Sequence, residues 1–256
     1  MQPHERITES IRAAADGALV PFITAGFPTK QSFRETLDTI ARHADVIEIG
    51  VPFSDPMADG MTIQRTSFKA IENGVTLHWI IDELREHHEH VGKPFVLMSY
   101  LNPMLAYGLE ALAKDAAAAG VCGFIVPDMP YEESEGLRSA LEAEGLGLVQ
   151  LVTPATPPER LRMLCEASRG FVYAVTVTGI TGGGGASGFS ADTERYLAEV
   201  REASNLPVCA GFGVRRREDV KQVGAHADGA IVGSALLEVL ERGESPGEFL
   251  SVLRGS

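Results

Sequence analysis

Two carboxylates that lie close together in the sequence are the first candidates for chemistry. Glu48 lies inside the apolar run DVIEIG, and Asp59 follows it in the proline-containing segment VPFSDPMADG. A carboxyl group buried in an apolar strand loses its hydration, which raises its pKa towards the range where acid–base catalysts work. Unpaired buried Glu residues are rare, so we favour a catalytic role for Glu48 over a structural ion pair.

Asp59 is expected to have a different environment from Glu48. It precedes a helix that the sequence predicts to begin near Met61, and the positive end of a helix dipole stabilises an ionised carboxylate. The local pattern leaves two roles open, a fixed hydrogen-bond acceptor or a simple helix cap. A pair of carboxylates in unlike environments is a usual way to combine a proton shuttle with a fixed charge.

Glycine-rich segments provide a second kind of candidate site. GITGG at 179–183, AGFGV at 210–214 and VGSALL at 232–237 each follow an apolar run. Backbone N–H groups at such glycines, and at the start of a helix predicted to begin at Ser234, can hold a phosphate without Lys or Arg. The GxGxxG within 183–188 lacks the downstream acidic residue of a dinucleotide site, so we interpret it as a flexible loop.

Apolar and aromatic side chains at the ends of the apolar runs form the third candidate feature. Each alone is more often a core residue, but beside two carboxylates and a phosphate cradle they indicate a flat hydrophobic substrate group. These residues are Phe22, Met98, Tyr100, Ile125, Tyr173 and Phe212.

Eight apolar runs, separated by amphipathic helical segments, must position these residues. Runs that are apolar throughout are typical of parallel strands covered on both faces. Eight strand–helix alternations in 256 residues predict one (β/α)8 (TIM) barrel domain spanning 1–256, whereas an open doubly wound sheet is the competing architecture. An extra N-terminal helix could plug the barrel floor. The predicted strands are 18–24, 45–50, 94–100, 122–128, 146–153, 170–177, 206–213 and 228–234.

Two capping boxes predict where later helices begin. Thr156 is expected to cap a helix with Pro157 at its first position, and Ser245 is expected to cap the last helix with Glu248. The short segment from Ser234 should form a separate helix directly after the eighth strand.

Composition limits the function classes. The formal net charge of −13 leaves no basic face for nucleic acid. No apolar run reaches the ~20 residues that span a bilayer. The three cysteines are widely spaced and are interpreted as reduced core residues, which favours a cytoplasmic location. The segment EHHEH at 86–90 lies late in a helix pattern and is interpreted as a solvated face, so no metal is expected.

Beyond these patterns, IEIGVPFSDPMADG at 47–60 closely resembles the signature of the tryptophan synthase alpha subunit family. Further blocks resemble that family in the same order along almost the whole chain. They are PFITAGFPT, SYLNPMLAYG, IVPDMPYEES, VYAVTVTGITGG, GFGV and AIVGSALLEVL. Met61 and the run Gly182–Gly185 depart from the family pattern.

The resemblance implies a reaction and a set of roles. Family members cleave indole-3-glycerol phosphate to indole and D-glyceraldehyde 3-phosphate, without a metal or organic cofactor in this subunit. Glu48 corresponds to the family acid–base residue, and Asp59 to the carboxylate that binds the indole N–H. The positions matching the substrate pocket are Phe22, Tyr100, Ile125, Tyr173, Thr181 and Phe212, and those matching the phosphate site are Gly182, Gly213, Gly233 and Ser234.

The resemblance also implies a partner. The family forms an alpha2beta2 heterotetramer with a beta subunit that carries pyridoxal phosphate and receives the indole. The contact positions match Pro52, Asp55, Asn102 and Pro130. A stand-alone lyase and a mainly regulatory subunit are the alternatives, although the presence of both Glu48 and Asp59 weighs against the latter.

Overall fold

The computed structural model describes residues 1–176, 190–211 and 213–255 of the chain. Within these ranges eight parallel strands form a closed barrel in chain order, with β8 returning to β1. The (β/α)8 prediction is therefore confirmed, and the open-sheet alternative is excluded. The strands are β1 Ala18–Thr24, β2 Ile47–Gly50, β3 Phe95–Met98, β4 Val121–Ile125, β5 Gly147–Val152, β6 Val172–Val175, β7 Val208–Gly211 and β8 Gly229–Val232.

Twelve α-helices occur in the described ranges, most of them packed around the barrel. They are α1 Pro3–Arg12, α2 Phe33–Ala41, α3 Met61–Glu72, α4 Leu77–Val91, α5 Leu101–Tyr107, α6 Leu109–Ala118, α7 Glu135–Ala143, α8 Pro158–Ala167, α9 Ala191–Ala203, α10 Arg217–His226, α11 Ser234–Glu241 and α12 Pro246–Arg254. We refer to residues 51–60, between β2 and α3, as loop two.

Strand alternation separates two apolar layers, as β2 illustrates. Ile47 and Ile49 lie in the large cluster between the strands and the surrounding helices, whereas Val46 lies in the cluster that fills the barrel. Because side chains alternate between the two faces of a strand, Glu48 shares the inward face with Val46. The sequence prediction that Glu48 points into the barrel agrees with this arrangement.

Helix α1 closes the floor of the barrel, at the end opposite the strand carboxyl termini. Its Ile7 and Ile11 side chains are fully buried in the interior cluster. Glycine permits the close approach, since a methyl group on Gly170 would lie 3.1 Å from the Ile7 side chain. Closure of the floor leaves the opposite end of the barrel as its open mouth.

The two capping predictions had different outcomes. Ser245 accepts a hydrogen bond from the Glu248 amide at 3.2 Å, as predicted. The prediction for Thr156 was wrong, because α8 begins at Pro158 with Pro157 as its cap. A residue before proline is driven to extended backbone, and Pro157 has ψ 150°. Thr156 Oγ1 instead accepts from the Thr153 amide at 2.9 Å.

The histidine-rich end of α4 packs rather than forming a metal site. His87 Nε2 lies 2.7 Å from Asp38 Oδ1 and joins α4 to α2. Within the described part of the chain, no group of three or more His, Cys, Asp or Glu side chains could hold a metal ion. Nor do the described helices include one long and apolar enough to cross a membrane.

Candidate active site

Glu48 lies inside the mouth of the barrel with its carboxyl group cut off from water. The residue is 1% exposed, and neither Oε1 nor Oε2 has a hydrogen-bond partner among the described residues. The pKa of Glu48 is raised to about 8, mainly because the carboxyl group is buried and secondly because of the nearby Asp59 charge. Glu48 is therefore largely protonated at neutral pH and is poised to donate a proton.

Asp59 faces Glu48 from loop two. The N-cap residue of α3 is Gly60 and not Asp59, so the structure excludes a role for Asp59 as a simple helix cap. Its Oδ2 accepts a hydrogen bond from the Tyr100 hydroxyl at 3.2 Å. Burial raises the pKa of Asp59 to about 6, while the Tyr100 hydrogen bond opposes this rise. Asp59 is thus mostly ionised at pH 7, whereas Glu48 is mostly protonated at the same pH.

Tyr100, at the end of β3, makes several contacts with loop two. The Ala58 amide donates to the Tyr100 hydroxyl at 2.9 Å, and the Phe53 ring stacks on Tyr100 with centroids 4.9 Å apart. Tyr100 is itself only 6% exposed. The sequence analysis placed Tyr100 in an apolar pocket, whereas its hydroxyl group contacts the loop that carries Asp59.

Gln64, in the first turn of α3, holds loop two from the other side. Its Nε2 donates to the Asp59 carbonyl oxygen at 2.9 Å and lies 3.4 Å from the Pro56 carbonyl oxygen. Sequence reasoning missed both Gln64 and Phe53. The available signal was the position of Gln64 five residues after Asp59, within reach of a loop that turns into a helix.

Phe22 connects the two sides of the mouth. A methyl group on Gly50 would lie 2.5 Å from the Phe22 ring, and one on Gly233 would lie 3.6 Å from Phe22. The ring therefore occupies the space that Gly50 leaves open at the end of β2, whereas a Cβ at Gly233 would make only ordinary contact with Phe22. Ile125 is fully buried among the side chains that fill the barrel.

Tyr173, on β6, is directed into the barrel towards Glu48. It packs beside Phe171 in the interior cluster, and the Glu48 and Asp59 charges add to burial in raising its pKa well above the usual value. A methyl group on Gly211 would lie 2.8 Å from the Tyr173 hydroxyl. Tyr173 is thus a neutral side chain whose ring closes the β6–β7 side of the site.

The expected phosphate positions follow β7 and β8, and β1 separates β8 from β2. Helix α11 begins at Ser234 as predicted, with Gly233 as its cap residue. Gly213 has φ +64°, a conformation that favours glycine. Arg215 is engaged by Glu238, with Nη1 2.7 Å from Oε2. Three expected site residues lie outside the described ranges, namely Thr181, Gly182 and Phe212, and so does the glycine run 182–185.

The residues expected to contact a partner are unequally accessible. Asp55, Asn102 and Pro130 are exposed on loops and helix starts that follow β2, β3 and β4. Pro52 is buried within its own chain. Two large apolar side chains are exposed near these positions, Met57 at 93% and Leu105 at 53%.

A closed barrel with a buried carboxyl group near the carboxyl end of β2 has its polar site where enzymes of the (β/α)8-barrel class place their active sites. The family model described as tryptophan synthase alpha chain matches residues 9–250. The chain belongs to the tryptophan synthase alpha chain family, and its role is that of a lyase in tryptophan biosynthesis.

Individual relatives support this assignment over nearly the full length. The chain is 47% identical to the tryptophan synthase alpha chain of Desulfovibrio desulfuricans, over 96% of this chain and 98% of that one. The alpha subunit structure from Legionella pneumophila has a TM-score of 0.89 at 30% identity, covering 100% of this chain and 98% of that one. A chain from the Pyrococcus furiosus a2b2 complex has a TM-score of 0.87 at 36% identity, covering 94% and 99%.

Proposed function

We propose that this chain cleaves indole-3-glycerol phosphate to indole and D-glyceraldehyde 3-phosphate. The observation that carries the proposal is the buried Glu48 carboxyl group, without a partner among the described residues, facing the ionised Asp59 at the barrel mouth. Retro-aldol cleavage needs one group that both donates and accepts a proton and one that stabilises developing positive charge. Glu48 and Asp59 supply these two properties.

In this mechanism Glu48 alone donates a proton to the substrate and later accepts one from it. Protonated Glu48 donates to C3 of the indole ring, and the resulting positive charge at the ring nitrogen is stabilised by the Asp59 carboxylate. The Glu48 carboxylate then accepts the proton of the glycerol hydroxyl next to the C–C bond. As that bond breaks, its electron pair returns to the ring and the hydroxyl carbon becomes the aldehyde.

The rest of the mouth matches the other parts of the substrate. Phe22 and Tyr173 offer ring faces to a flat indole group. The first amides of α11 offer hydrogen-bond donors and the positive end of the helix dipole to a phosphate dianion. With Arg215 engaged by Glu238, backbone amides near Gly213, Gly233 and Ser234 are the favoured phosphate ligands. Thr181, Gly182 and Phe212 are proposed to complete the site.

Indole release by the purified chain tests the proposal. Glu48→Gln retains the shape of the side chain but cannot exchange a proton, so turnover should fall by about 10²–10⁴-fold. Glu83→Gln removes a carboxylate that pairs with Arg34 on the outer helices and serves as the matched control. Near-wild-type indole release by a folded Glu48→Gln variant would refute the assignment.

We further propose that the chain assembles with a beta subunit that binds pyridoxal phosphate, in an alpha2beta2 complex. The Pyrococcus furiosus relative is described as part of a mutually activating a2b2 complex. The surface formed by Asp55, Asn102 and Pro130 borders the mouth, where indole would leave. Exposed Met57 and Leu105 add apolar area to that surface.

A pair of matched charge substitutions tests this docking surface. Leu105→Arg should weaken association with a tryptophan synthase beta subunit, whereas Val252→Arg, at a position on α12 that is 64% exposed, should not. Light scattering gives the mass of the complex, and indole release with and without the beta subunit gives the stimulation. Equal assembly of both variants would place the interface elsewhere, and full activity of the isolated chain would favour a stand-alone lyase.

A further inference from the structure

Loop two carries one essential charge on a short irregular segment, and three contacts from a single side chain hold that segment. Tyr100 stacks on Phe53, accepts from the Ala58 amide at 2.9 Å and donates to Asp59 Oδ2 at 3.2 Å. Since Tyr100 lies two residues after the end of β3, these contacts tie the loop to the rigid barrel. Gln64 also contacts the loop, but only through backbone carbonyl oxygens, whereas Tyr100 contacts the Asp59 carboxylate itself.

From this geometry we propose that Tyr100 is a positioning residue whose hydroxyl group orients the Asp59 carboxylate towards the substrate. The inference rests on the proposed function for its catalytic consequence, but its structural content concerns the Tyr100–Asp59 contact itself. It assigns to Tyr100 a role different from lining an apolar pocket, for which a phenylalanine would be sufficient.

The Tyr100 hydroxyl group accepts one hydrogen bond and donates another. By accepting from Ala58 it fixes its own oxygen, and its proton is then directed at Asp59. A donor to the carboxylate favours the ionised form. This hydrogen bond opposes the burial that raises the pKa of Asp59. One group thus holds Asp59 in place and maintains its charge.

Tyr100→Phe separates these effects from packing, because the ring and its stacking on Phe53 are retained. We expect kcat for indole release to fall roughly 10–100-fold, since a small displacement of a catalytic group has effects of this order. KM should change less. As the variant lacks the hydrogen bond, Asp59 becomes protonated at a higher pH, so activity should be lost at a higher pH as the medium is acidified.

Tyr107→Phe is the matched control. Its hydroxyl also donates to a carboxylate, Asp115 Oδ2 at 2.8 Å, but on the outer helices α5 and α6. This variant should retain the wild-type pH profile. If it shifts the acidic limb as much as Tyr100→Phe does, the effect is general and the inference is overturned.

A direct readout does not require turnover. The carboxyl ¹³C signal of Asp59, assigned by its absence in Asp59→Asn, should titrate at a higher pH in Tyr100→Phe than in the wild type. If Tyr100→Phe fails to fold, 3-fluorotyrosine at position 100, a stronger donor, should instead lower the Asp59 pKa. An unchanged Asp59 titration in a folded variant overturns the inference. Absence of indole release by the wild-type chain, with the titration shift present, overturns only the proposed function.

Discussion

The two sides of the barrel mouth are built by opposite means. The carboxylate side, formed by Glu48, loop two and Tyr100, depends on side chains whose charges are set by burial and by one hydrogen bond. The glycine side, formed by Gly213, Gly233 and the start of α11, presents two glycines and the first backbone amides of a helix.

Under the proposed function, this difference would let a chain with a net charge of −13 accommodate an anionic substrate. Helix-end amides, the phosphate ligands proposed above, would add no cation that lowers the pKa of Glu48. A lysine at the mouth would strengthen anion binding but would also favour ionised Glu48. Dividing the two proposed functions between side chains and backbone would allow a neutral acid and a phosphate site to share one cavity.

The largest effect should follow a change on the carboxylate side. Asp59→Asn retains the size of the side chain but removes the charge that offsets the positive indole ring, so we expect kcat to fall about 10²–10³-fold. Steady-state indole release measures it. The glycine side should be unaffected, so inhibition by inorganic phosphate should be the same as in the wild type. Full activity of Asp59→Asn would reduce Asp59 to a structural residue.

A smaller effect, on KM, should follow a change on the glycine side. Ser234→Pro removes one backbone N–H at the first position of α11, where proline is compatible with a helix. Loss of one hydrogen bond to a charged group corresponds to roughly 10–100-fold weaker binding of indole-3-glycerol phosphate. Ser234→Ala keeps the N–H and is the control. Equal KM values for the two variants would count against binding by the helix amides.

The third effect concerns stability and its pH dependence. The pKa of Glu48 is raised from 4.5 to about 8 on folding, so the folded state binds the extra proton between these values. The free energy of unfolding should therefore fall as the pH rises from about 5 to about 8.

Glu48→Gln removes this dependence, because the amide remains neutral. Its Tm should exceed that of the wild type by more at pH 8 than at pH 5, each kcal/mol corresponding to about 2–4 °C. Differential scanning calorimetry at both pH values measures the difference. A constant Tm difference would mean that Glu48 is not a buried neutral acid.

Much of the carboxylate side was predictable, because it follows from local rules. Alternation along β2 placed Glu48 inward, and the start of α3 at Met61 placed Asp59 just before a helix. The partners of Asp59 were not predictable. Tyr100 is separated from it by 41 residues, and only closure of the barrel brings β3 beside loop two.

The helix starts show the same limit on a smaller scale. The Ser245 side-chain cap formed, because its pattern is local and unopposed. The box at Thr156 did not form, because a second proline, Pro158, forces Pro157 out of the helical conformation. On the glycine side, the start of α11 at Ser234 was predicted, and so was its position after β8.

In the proposed reaction, a protonated Glu48 and an ionised Asp59 act together on the same substrate. The most direct test is kcat/KM for indole-3-glycerol phosphate cleavage as a function of pH, which reports the groups of the free enzyme. With pKa values of about 6 for Asp59 and about 8 for Glu48, the profile should be bell-shaped between these limits. The basic limb should disappear from the residual activity of Glu48→Gln. A rate that rises steadily through pH 9, or a basic limb that persists in Glu48→Gln, would contradict the account.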